Sequence, residues 1–136
     1  MTPAGGGHTL ITGNREMDEE HALQLRLLLE LMQSIDAHDG ATALELFERL
    51  DHFTNEHFLA EELLMRLHAY PAFEAHTAEH GQFVEELKTL RTRLSSDGTG
   101  AVQDDADAFS RRLLAHIATT DHALGVFQRS AAAADR

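Results

Sequence analysis

The chain has 136 residues, enough for one domain with a real core and hardly for two. Lys and Arg total 11 against 23 Asp and Glu, a formal charge of −12, which argues against DNA, RNA or an anionic membrane as a partner, since phosphates need a basic patch. Cysteine is absent, so disulfides, thiol catalysis, zinc fingers and iron–sulfur clusters are excluded together. No run approaches the roughly 18 apolar residues of a membrane span, and the first residues lack the apolar core of a signal peptide. A cytoplasmic protein is expected.

Residues 1–17 hold Pro3, Gly5-Gly6-Gly7, Gly13 and Asn14 and read as an arm, with Leu10 and Ile11 available for packing. Strand signals are weak, and four helical stretches follow. The first is predicted from about Asp18, its expected cap, to Ala37, with the stripe His21, Leu25, Leu28, Met32, Ile35. Asp39-Gly40 stops it. The second runs from about Ala41 to Ala69 on Phe47, Leu50, Thr54, His57, Glu61, Leu64, His68. Tyr70-Pro71 breaks the chain, and Pro71 suits the first position of the third helix. That helix runs to about Ser95 on Phe73, His76, His80, Phe83, Leu87, Leu90, Leu94. After a loop at 95–100, the fourth runs from about Ala101 to Arg129 on Val102, Ala106, Phe109, Leu113, His116, Thr120, Ala123, Phe127. Short connections make neighbours antiparallel, so the expected fold is all-α: an up-down-up-down four-helix bundle over 18–130, preceded by the 1–17 arm and followed by a flexible 131–136 tail.

The stripes contain a contradiction. His21, His57, Glu61, His76, His80 and His116 occupy positions that should face an apolar core. Burying such groups costs several kcal/mol each unless they are paired, hydrogen-bonded or bound to a metal. His57 and Glu61 are four residues apart, as are His76 and His80, so each pair shares a helix face. Heights along the bundle, counted from the turn between the second and third helices, put Glu61 and His57 at roughly 12 and 18 Å, and His76 and His80 at roughly 8 and 14 Å. On the fourth helix Asp121 and His116 fall at roughly 12 and 20 Å, and His21 lies near the same end. All four helices therefore deliver polar groups to one half of the bundle. Asp121 fits less neatly: five residues after His116 is about 140° away on a regular helix. It needs a rotated helix or a π-type widening to join the others.

Five imidazoles and two carboxylates exceed one tetrahedral zinc and suit iron, with manganese behind it. Carboxylates from two helices can each bridge two ions, so a dinuclear site accounts for all seven groups. No Glu-x-x-His occurs in the chain, which disfavours the ferritin-like di-iron bundles.

These residues resemble the hemerythrins, most closely the single-domain bacteriohemerythrins. The matching pieces are Asp18-Glu19-Glu20-His21, His57-x-x-x-Glu61, His76-x-x-x-His80 and His116-x-x-x-x-Asp121, with the Tyr70-Pro71 turn before the third motif and His116-Ile117 opening the fourth. The resemblance implies an oxo- or hydroxo-bridged and carboxylate-bridged pair of Fe ions. His21 and His57 would hold one iron; His76, His80 and His116 the other; Glu61 and Asp121 would bridge. Dioxygen would bind reversibly, as hydroperoxide, at the two-histidine iron, for storage, delivery or sensing. Leu25, Leu28, Phe58, Leu64, Phe83, Leu113 and Ile117 are expected to make a dry wall around it. Family members usually carry Trp or other aromatics in the arm and near the site; this chain has no Trp.

With no positioned acid or base beyond the ligands, a carrier is expected rather than an enzyme. The alternative is a di-iron scavenger of peroxide or nitric oxide, or a ferroxidase. An oxygenase or respiratory enzyme accepting the O2 is the expected partner, and a monomer is favoured. A sensor module is disfavoured, because such a module normally carries an output domain. His8, His38 and His52 are expected in solvent, His68 at a helix C-terminus, and His122 as a lesser rival to Asp121.

Overall fold

Asn14 starts the first helix. Its side chain accepts a hydrogen bond from the Met17 amide, satisfying a donor that the first turn would otherwise leave unpaired. A computed structural model describes residues 10–134, and in it α1 spans Arg15–Asp36, three residues earlier than Asp18 predicted. Asp18 instead reaches back: its carboxylate accepts from the Thr12 amide and hydroxyl at 2.8 Å each. Thr12 is fully buried, and a Cβ at Gly125 would overlap its carbonyl, so glycine there lets the arm lie against the last helix. Leu10 packs on the core while Ile11 stays exposed.

Asp39 caps α2, Gly40–Leu67, by accepting from the Thr42 amide. The link to α3, Phe73–Asp97, turns at Ala69, whose φ is positive, and runs through Tyr70 and Pro71. Pro71 therefore lies two residues before the helix rather than at its first position. The predicted 95–100 loop shrinks to Gly98. Its φ of 87° lets the chain reverse between Asp97 and Thr99 in a single residue. Then α4, Thr99–His116, leads into a π-helical turn, Ile117–Asp121, and α5, His122–Ala134. Ala131–Ala134, expected as tail, continue that helix.

Each helix packs on two neighbours: α1 on α2 and α4, α3 on α2 and α4. This closes a four-helix bundle, and no strand occurs among the described residues. Leu31, Ile35, Phe47, Leu50, Leu87, Val102 and Phe109 fill the half remote from the α2–α3 turn. Truncating any of the larger ones to Ala should cost about 2–5 kcal/mol. No described helix is long and apolar enough to cross a membrane.

Two stripes depart from expectation. On α1, Gln24 and Leu31 are buried while Leu25 and Met32 are half-buried, because the face turned inward is wider than one 3-4 ladder. On the fourth rod, Ala123 is exposed and Thr120 and Phe127 are half-buried; Ile117, Asp121 and Leu124 are buried instead. The π turn accounts for this shift, since it inserts one residue and moves every later position around the axis. Likewise Met65, not Leu64 or His68, ends the buried face of α2.

Candidate metal centre

All seven residues singled out by the sequence meet in the half of the bundle nearer the α2–α3 turn, and each is buried. α1 supplies His21, α2 His57 and Glu61, α3 His76 and His80, α4 His116, and the π turn Asp121. Their ligand atoms fall into two compact groups, one with His21 and His57, the other with His76, His80 and His116. Glu61 and Asp121 belong to both.

The two carboxylates divide their oxygens between the groups. Glu61 Oε2 lies 2.9 Å from His57 Nε2 and 3.5 Å from His21 Nε2. Its Oε1 lies 3.0 Å from His80 Nε2 and 3.2 Å from His76 Nε2. Asp121 Oδ2 lies 2.9 Å from His21 Nε2, while Oδ1 lies 3.0 Å from His76 Nε2 and 3.1 Å from His116 Nε2. Most of these approaches lack the angles of a hydrogen bond. The Nε2 atoms of His21, His57, His80 and His116, Glu61 Oε2 and both Asp121 oxygens are buried with no hydrogen-bond partner. Such atoms are costly to bury unless something satisfies them. Nitrogen and oxygen donors that converge on shared points with few hydrogen bonds among them fit a bound metal, and the imidazole–carboxylate mixture fits iron.

Three further carboxylates hold the imidazoles from behind. His57 Nδ1 donates to Glu20 Oε1 at 2.5 Å, His80 Nδ1 to Glu62 Oε2 at 3.0 Å, and His116 Nδ1 to Glu79 Oε1 at 2.8 Å. A proton fixed on Nδ1 leaves the Nε2 lone pair facing the centre, the arrangement common to metal-binding histidines. Thr120, in the π turn, also donates to Glu79 at 3.1 Å, tying the widened turn to α3.

Electrostatics follow from this crowding when no cation is bound. Burial works against a charged His21, but the close carboxylates of Asp121 and Glu61 carry its pKa up to about 9. His76 is likewise raised to about 9 against its burial, by the same two carboxylates. His57 and His116 are also raised, the former mainly through Glu61 and the latter through Asp121. Burial would push Glu61 up, but the four histidines crowded against it hold it well below the usual carboxylate range. Asp121 is held low too, with burial and the Glu61 charge opposed by His116, His21 and His76.

The remaining histidines stay apart. His122 Nδ1 meets the Ile11 carbonyl at 3.0 Å, outside both ligand groups. His38 pairs with Thr99, His52 with Glu56, and His68 closes α2; His8 lies outside the described residues. Sequence reasoning missed Glu20, Glu62 and Glu79. Each adjoins a stripe residue in sequence (Glu20 before His21, Glu62 after Glu61, Glu79 before His80), and that adjacency was the available signal. It also missed Gln24, fully buried one turn from His21. Of the residues expected to form a dry wall around the two-histidine position, Leu28, Phe58, Phe83, Leu113 and Ile117 are buried, but Phe58 stacks on His80 and Phe83 lies against His116; Leu25 and Leu64 are half-buried.

The sequence profile described as "Hemerythrin HHE cation binding domain" matches residues 12–125. A bacteriohemerythrin of Pseudomonas aeruginosa (strain LESB58) is 28% identical over 112 residues, covering 82% of this chain and 72% of the relative. One from Pseudomonas paraeruginosa (strain DSM 24068 / PA7) shows the same identity and coverage. One from Aquifex aeolicus (strain VF5) is 33% identical over 78 residues, 57% of this chain and 60% of that protein. A profile match over most of the chain, joined to a buried histidine–carboxylate cluster on four helices, makes this chain a member of the hemerythrin family.

Proposed function

We propose that the chain holds two iron ions and binds dioxygen reversibly at one of them. The observation that carries this reading is the division of the Glu61 and Asp121 oxygens between a two-histidine and a three-histidine group. His76, His80 and His116 with both carboxylates would hold one ion, and His21 and His57 with the same carboxylates the other. The second set is one donor short, which leaves room for a ligand. Two ferrous ions held by these residues would supply the electrons for reversible reduction of dioxygen.

The protein's own residues favour return over consumption. Phe58 stacks on His80 with ring centroids 3.8 Å apart, and Phe83 meets His116 edge-on at 5.2 Å. On the two-histidine side Phe53 stacks on His57 with ring centroids 6.2 Å apart and Phe58 lies 6.1 Å from the same ring, so aromatic rings limit the access of water and protons there too. Glu20, Glu62 and Glu79 keep the imidazoles in register through their Nδ1 protons.

Oxygen balance tests the proposal. A carrier takes up O2 once and gives it back when the gas phase is exchanged for argon. Continuous consumption of O2, peroxide or nitric oxide over many turnovers would make the protein a scavenger or ferroxidase instead.

A further inference from the structure

One turn from His21 on α1 and one turn from His57 on α2, Gln24 and Thr54 face each other, each 1% exposed. Gln24 Nε2 donates to Thr54 Oγ1 at 3.0 Å, and Gln24 Oε1 has no partner. Whichever way the amide is turned, one of its polar atoms is left unsatisfied in the interior. Leu and Val at these positions would fill the same space without that cost.

The pair's position explains why an amide is useful there. Glu61 reaches the His21–His57 group from one side, one turn further along α2 than His57. Thr54 lies one turn on the other side, and because α1 runs antiparallel to α2, Gln24 falls in the same layer. The two-histidine group thus has carboxylates on one side and a Gln–Thr pair on the other. Around the three-histidine group, phenylalanine rings cover His80 and His116 and the Tyr70 ring lies 6.4 Å from His76.

We propose that Gln24, held by Thr54, is a hydrogen-bonding residue for a small anionic ligand, or a ligand that becomes anionic, bound at the two-histidine ion. This rests on the di-iron reading above. The amide has a second N–H to donate to a negatively charged atom, and its oxygen can accept from a protonated one. The wall on this side is therefore selective rather than merely dry. It favours ligands that gain charge on binding over neutral ones that do not.

Azide is a suitable probe, titrated into the iron-loaded, oxidised full chain and followed by its charge-transfer band. Gln24→Leu, of similar volume, should weaken azide binding about ten-fold and shift the band, because a hydrogen bond to a charged group is lost. Thr54→Val should weaken it less, by releasing the amide from its holder. Metal-free Gln24→Leu should melt at the same temperature as the parent or higher, since an unpaired buried oxygen is gone. Two irons per chain with azide affinity within about two-fold of the parent in both variants would overturn the role of Gln24 and leave the di-iron reading standing. A parent protein that loads no iron would overturn both.

Discussion

His116 and Asp121 are five residues apart, yet Nε2 and Oδ1 lie 3.1 Å from each other across the same face of the helix. On a regular α-helix that spacing leaves the side chains about 140° apart. The π turn at Ile117–Asp121 closes the gap. It sets the carboxylate opposite Glu61, and it is held from outside by the Thr120–Glu79 hydrogen bond. The widened turn thus lets a residue five positions on share the His116 face.

Deleting Thr119, which is exposed, should turn the π widening back into ordinary α-helix. His116 and the aspartate would then be four apart, which also shares a face, and α5 would keep its register. Iron content should stay near that of the parent, whereas Asp121→Ala should lose much of it. Elemental analysis of both purified variants checks this. Equal loss in the two would show that the π geometry itself is required.

Glu61 touches four imidazoles. Glu61→Ala should drop bound iron well below two per chain. It should also destabilise the metal-free protein by about 3 kcal/mol, because buried groups paired through one carboxylate lose their partner. Denaturant melts with iron analysis test both parts. Unchanged iron would mean that Glu61 is not a ligand.

The supporting carboxylates should matter for affinity rather than for folding. Glu79 is half-exposed and serves His116 and Thr120 together. Glu79→Ala should weaken iron retention against a chelator by about ten-fold, with Glu79→Gln recovering part of it. Far-UV dichroism should be unaltered in each.

The metal-free chain should show a distinctive pH profile. His21 and His76 have folded-state pKa values raised to about 9 from an ordinary 6.5, so their contribution is complete below about pH 6.5 and is lost as pH rises through about 9. Glu61 and Asp121 are depressed, so their contribution is present above the ordinary carboxylate range and lost as pH falls below it. Stability should therefore peak between about pH 4.5 and 6.5 and decline on both sides. Iron binding must displace the histidine protons, so it should tighten with rising pH up to about 9. Thermal melts of chelated protein across pH 3–10 check the profile; a maximum near pH 8 would contradict it.

The bundle was legible because 3-4 apolar ladders persist through the helices and because Asp39, Gly40 and Gly98 mark their ends. The cluster was legible because histidines and a glutamate interrupt those ladders at i, i+4 spacing. Three things escaped. The stripe beyond His116 runs through Asp121 and Leu124 rather than Thr120 and Ala123: a π widening is one of the two ways the His116–Asp121 spacing offers to bring Asp121 inward, but it leaves no apolar signature that fixes the later register. Glu20, Glu62 and Glu79 sit where a solvated acidic face would, and only contact with an imidazole on another helix distinguishes them. Gln24 is polar beside the apolar Leu25, and periodicity alone chose the wrong neighbour.

The most direct measurement is the iron content of the anaerobically reduced protein together with its visible spectrum before and after O2. Two irons per chain, no haem, and a charge-transfer band that appears with O2 and fades when O2 is removed are the predicted result. A chain with no iron, or with iron that never develops that band, would contradict the account.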